Sequence, residues 1–168
     1  ASSLMVRLAI LIGLGGMTAS IYGGALGFLD ATFRSDYIMM PSLVVTNDTV
    51  GAGPDLAETV KRIRGVAELT TLRQIDVLDA DGIGIRLVGI DPHNYARISG
   101  LSFVEGDESA FGGMQTGNDV IINGRFASQF GVGIGDTVAL EGDHGPLDVQ
   151  VTAIGLDYIN MKLPTVYM

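Results

Sequence analysis

Cysteine and tryptophan are absent from this 168-residue chain, and histidine occurs only twice. Without cysteine there is no disulfide, no thiol nucleophile and no thiolate metal site. The redox compartment is thereby left open. His93 and His144 sit in turn contexts beside Pro92 and Gly145 and share no metal-ligand spacing. Cations are scarce as well: ten Lys and Arg stand against 19 Asp and Glu, for a net charge of −9. A phosphate backbone needs clustered Lys and Arg, so this balance argues against nucleic-acid binding. Aromatics make up 7% of the chain, while 24 glycines fit a turn-rich α+β protein and not a disordered one.

Apolar residues are plentiful: 47% of the chain is hydrophobic and the mean hydropathy is +0.38, high for a soluble domain. The excess lies at the N-terminus, where no charged residue occurs from Leu8 to Leu29. A membrane-spanning helix needs about 20 such positions. Arg7 precedes the run and Asp30 follows it, which favours a cytoplasmic N-terminal end. Small residues recur every fourth position, at Gly16, Ser20 and Gly24 and at Ala19, Gly23 and Gly27. Such stripes admit a second helix at close range in a bilayer. A signal peptide fits less well, because the run is long and lacks an A-x-A cleavage site. The competing expectation is a glycine-rich helix buried in a soluble core, which glycine's low helix propensity in water disfavours. Residues 1–35 are therefore expected to form a membrane-spanning or membrane-proximal helix, with residues after about 36 on the extracytoplasmic side.

Beyond Asp36 the pattern is that of a small α+β domain. Tyr37–Val45 is expected as a strand leaving the helix, and Asn47-Asp48-Thr49 matches a glycosylation sequon of little weight. Pro54–Arg64 has the marks of a soluble helix, with Pro54 in the first turn and acidic residues near its start. Lys61, Arg62 and Arg64 complement its negative end, and Leu56, Val60 and Ile63 form its apolar face. Strands are expected over Val66–Ile75 and Ile83–Ile90, with Asp81-Gly82 as a hairpin signal. Asn94–Gly100 follows as a short helix or turn, then the segment Leu101–Glu105, a glycine-rich loop over Ser109–Asn118, and a turn at Gly142–Pro146. Leu147–Leu156 alternates as a strand with Val149, Val151 and Ala153 on one side, and Thr165–Met168 closes as a strand.

Asp119–Leu140 is the most informative stretch. Val120, Ile121 and Ile122 form a continuous apolar run, as in a strand buried on both faces. Asn123 is an N-cap candidate, Phe126, Ala127 and Phe130 fall at helical spacing, and Gly131 supplies a left-handed stop. Gly133 and Gly135 permit positive φ, and Asp136 can bond the local backbone to fix the turn.

No constellation for catalysis emerges. Asp76, Asp79 and Asp81 imitate a calcium loop, but the closing acidic residue is missing. Glu105, Asp107 and Glu108 form an acidic patch without a partner motif. Gly13-Leu14-Gly15-Gly16 lies inside the hydrophobic run and follows no strand, so it fails the context of a dinucleotide loop. Neither a catalytic residue nor a metal or cofactor ligand is assigned, and the chain is expected not to be an enzyme.

The order of these pieces resembles the extracytoplasmic (periplasmic core) domain of MacB/FtsX-type ABC transporter permeases. The resemblance rests on Gly65-Val66, Gly89-Ile90-Asp91-Pro92, Gly106-Asp107 and the segment Phe130–Leu140, and it covers most of the chain. It implies an α/β subdomain from residues 36–90 and 146–168, with a mixed, β-rich subdomain inserted at 91–145. It also implies a non-catalytic permease module that transmits ATP-driven conformational change across the membrane. The implied partners are a cytoplasmic ABC ATPase, a second permease copy, and an extracytoplasmic adaptor or substrate protein. Efflux, lipoprotein or lipid extraction and hydrolase regulation are the implied tasks. The alternative is a membrane-anchored binding or sensor domain with no ATPase partner.

Overall fold

The computed structural model describes residues 2–32, 35–39, 53–78, 82–115, 117–142, 145–157, 160 and 162–168. The expected sequon and residues 40–45 of the first expected strand lie outside them; residues 37–39 are described and form no strand. An N-terminal apolar helix, α1 (Ser2–Thr32), precedes a mixed α+β body. The body comprises α2 (Pro54–Lys61), β1 (Leu72–Leu78), β2 (Gly84–Ile90), α3 (Tyr95–Ile98), β3 (Ser102–Glu105) and α4 (Ala110–Met114). It continues through β4 (Asp119–Asn123), α5 (Gly124–Phe130), β5 (Thr137–Gly142), β6 (Gly145–Leu156) and β7 (Thr165–Tyr167).

The strands form one mixed sheet in the order β1-β2-β7-β4-β6-β3, with β5 paired to the first half of β6. β2 runs parallel to β7 and β4 parallel to β6, while the other pairings are antiparallel. β3, β4 and β5 all lie within 91–145 and bond to β6 or β7, so the sheet runs continuously across both expected subdomain boundaries.

The sheet has a core on each face, and β4 supplies both. Val120 and Ile122 join Phe126 of α5, Val149, Val151 and Val166 on one side. Ile121 joins Tyr95, Phe111, Met114 and Tyr167 on the other, under α3 and α4. The continuous apolar run is thus buried from both directions, as its composition predicts. The expectation that Val149, Val151 and Ala153 share a side fails. Ala153 packs in the second core, because Val120 pairs with Val151 but Ile121 pairs with Ala153. The extra residue, Thr152, makes a β-bulge that swaps the alternation.

Local expectations for 119–140 are met in the backbone. The Asn123 side chain accepts from the Phe126 amide at 2.8 Å, and Gly131 closes α5 with φ 66°. Gly135 takes a positive φ, whereas Gly133 contributes an amide that donates to Asp136 Oδ2 at 2.8 Å.

Elsewhere packing overrides pattern. Ser109–Asn118 is not wholly loop: Ala110, Phe111 and Met114 form the buried side of α4, and their burial outweighs two glycines that weaken a free helix. Of the expected apolar face of α2 only Val60 is buried, while Leu56 and Ile63 remain exposed. Residues 66–71 form no strand, so the first strand of the hairpin begins at Leu72.

Candidate functional site

The surface of α1 is the first candidate. Its window Leu4–Gly24, 21 residues, meets the length and composition of a membrane span, and none of it is buried against the body. A soluble core helix would be covered by the rest of the chain, and this one is not. The Thr18 hydroxyl donates to the Leu14 carbonyl at 2.8 Å, so it is satisfied within the helix and needs no water.

A buried polar network ties the sheet's elements together. Asn123, 2% exposed, uses both ends of its amide. Oδ1 accepts from the amides of Phe126 and Thr165 at 2.8 and 3.0 Å, and Nδ2 donates to the Leu163 carbonyl at 2.9 Å. The carboxylate of buried Asp157 accepts from Tyr167 Oη at 2.6 Å and from Nδ2 and the amide of Asn160 at 2.8 and 2.9 Å. Burial, followed by the neighbouring Asp157 charge, pushes the Tyr167 hydroxyl well up, so it stays a donor at neutral pH. Arg86 of β2 extends the chain of bonds: its Nη1 donates to Asn160 Oδ1 at 2.6 Å, and its Nε and Nη2 form a fork on Asp76 at 2.6 and 2.8 Å. Because these groups bond one another, the arrangement is built to hold shape.

The Arg86 hydrogen bonds hold Asp76 below the ordinary carboxylate range, despite partial desolvation. A depressed folded pKa gives stability that is present above the unfolded value of 3.8 and lost as pH falls through the folded value. With Asp76 54% exposed, solvent screening keeps this small. Asp76→Asn is expected to cost about 0.5–1 kcal/mol at pH 7 and to converge on the parent stability in acid. Urea midpoints compared at the two pH values check it; an equal gap at both would show that the pair's charge contributes nothing.

The residues singled out in the sequence do not converge. His93 is exposed, with Nδ1 3.6 Å from Asp91 Oδ1, and His144, Asp79 and Asp81 lie outside the described residues. Asp76 binds Arg86. The Ser109 side chain first, and then the Ser109 amide, which donates to Asp107 Oδ1 at 2.8 Å, hold the Asp107 carboxyl low; this turn starts the chain into α4. Among the described residues no three His, Asp or Glu side chains gather as a metal site. An open groove of about 380 Å³ lies elsewhere, lined by Lys61, Val66, Glu68, Leu69, Asn94 and Arg97 among others. Arg97 Nη1 sits 3.2 Å from Glu68 Oε1 across it.

No protein-family model matches the chain, and neither does any curated protein sequence. Among solved structures the chain is similar to the extracellular domain of the noncanonic ABC-type transporter YknZ from Gram-positive bacteria. The match to the YknZ domain covers 81% of this chain and 68% of that one, at 19% sequence identity and a TM-score of 0.45.

Sequence reasoning missed the polar network. Its bonds join residues far apart, such as Arg86 to Asn160 and Asn123 to Leu163. One signal was present: Arg86 stands as the only charged residue in the apolar strand Ile83–Ile90. A charge in such a strand needs a partner from another element.

Proposed function

We propose that this chain is a non-catalytic, extracytoplasmic module of an ABC transporter permease, entered from the membrane through α1. The observation that carries it is the uncovered apolar helix leading into an α+β body. Four of the six motif glycines support it, since Gly65, Gly106, Gly131 and Gly135 take positive φ, while Gly89 and Gly133 do not. With Arg7 at the cytoplasmic end, residues after about 36 stand outside. ATP hydrolysis by a cytoplasmic partner biases two arrangements of the membrane helices, and the body follows as a rigid unit. The bonded core network suits that role by resisting deformation. The output is a moved partner or substrate, in efflux, lipoprotein or lipid extraction, or hydrolase control. Residues 91–145 carry the partner-selecting surface in this proposal.

The test is co-purification of the full-length protein with a cytoplasmic ABC ATPase, followed by ATP turnover in lipid. Stable association with turnover is the expected result. A full-length protein that binds no ATPase would leave the anchored binding or sensor domain in its place. Partner selection is best probed by surface substitutions, because deleting 91–145 would remove β4 from between β7 and β6.

A further inference from the structure

We infer that Tyr37–Met39 is an interfacial anchor that lies along the outer membrane surface and binds the glycerol and headgroup region of the lipids. The inference rests on the membrane role proposed for α1. Three observations converge on it.

The first is reach. At 1.5 Å per residue, the uncharged run Leu8–Leu29 spans about 33 Å, the thickness of a hydrocarbon core. That sets the outer edge of the core near Leu29 and Asp30. Tyr37 follows the helix end at Thr32 by five residues, which reach at most about 18 Å when extended. The chain also bends at Ser35 and Asp36, which allows it to leave the helix axis and run along the surface.

The second is exposure. Tyr37, Ile38 and Met39 are 93%, 53% and 67% exposed. Consecutive residues of an extended segment point to opposite sides, so packing on a sheet would bury every second one. All three are more than half exposed and form no strand, so none is buried among the described residues. A lipid interface can receive both sides of a segment lying in its plane.

The third is chemistry. A tyrosine ring with a polar tip is favoured at the bilayer surface, where one end is apolar and the other wet. Ile38 and Met39 add apolar area, while Asp36 on the near side keeps the segment from sinking into the core.

The absence of tryptophan makes the test clean, because one substitution supplies one emitter. The full chain is reconstituted in phosphatidylcholine vesicles containing doxyl lipids labelled either near the headgroup or near the acyl-chain end. Tyr37→Trp is expected to be quenched several-fold more by the shallow label than by the deep one, and to be shielded from aqueous acrylamide. Leu14→Trp, mid-span, is expected to show the opposite preference. If the Leu14 probe is quenched by the deep label but the Tyr37 probe responds only to acrylamide, the anchor is overturned and the span stands. If neither probe responds to lipid labels, the membrane role itself fails and the anchor fails with it.

Discussion

Asn123→Ala is expected to destabilise the body by about 2–4 kcal/mol, a large share of a domain's total stability. The loss has two parts. Removing the N-cap of α5 costs about 1 kcal/mol in ordinary helices. The remainder comes from the one partner left buried without a bond, at about 1–3 kcal/mol. That partner is the Thr165 amide, which opens β7; the Leu163 carbonyl loses the Nδ2 donor but keeps the Thr165 hydroxyl at 3.1 Å. Asn123→Asp keeps the acceptor for both amides but removes that donor, so it should fall between the parent and the alanine variant. Denaturant midpoints in detergent, at unchanged slope, measure both. A cost under about 1 kcal/mol for Asn123→Ala would show that water replaces the side chain and that the network does not lock the sheet.

Gly106→Ala should cost about 2–5 kcal/mol, from two separable sources. Gly106 holds φ 83°, where a side chain adds about 1–2 kcal/mol of strain. An added Cβ would also lie 2.8 Å from Ala153 Cβ, 3.2 Å from Ala153 Cα and 3.3 Å from the Thr152 carbonyl. Two of these three are backbone atoms at the bulge of β6, so no rotamer change relieves the contact. Gly131→Ala serves as the comparison. It has φ 66° but nothing within 4 Å of an added Cβ, so it should show the backbone strain alone. Equal losses for the two variants would mean that β3 shifts away from the bulge at no cost.

How far the fold could be read from sequence depends on the range of the signals. α5 and its flanking strands were legible because each cue lies within a few residues of what it sets: the apolar run of β4, the Asn123 cap and the Gly131 stop. α4 was not, because its glycines argue locally against a helix. Phe111 is held from outside by Tyr95 and Phe103, with ring centroids 6.1 and 5.9 Å away. The face swap at Thr152 was invisible for a related reason: a bulge is a property of two paired strands, and one strand's alternation cannot report it. α2 erred in the other direction, since its spacing marks a face of which the described chain covers only Val60. For α1 the length and the lack of charge were legible in the sequence, and the structure adds that the body does not cover the helix.

β7 has a consequence for how the protein is made. Although it contributes only Thr165–Tyr167, it is the bridge between the β1–β2 hairpin and the β4–β6 side of the sheet. It also follows every other strand in sequence, so synthesis delivers it after both of its neighbours. Until it arrives, β2 and β4 each present an open edge, and apolar β4 is a template for pairing with another chain. The domain therefore cannot complete its sheet piece by piece as it leaves the ribosome or translocon. The interval before residue 165 emerges is its period of greatest exposure to aggregation, when a holding chaperone would have the most effect.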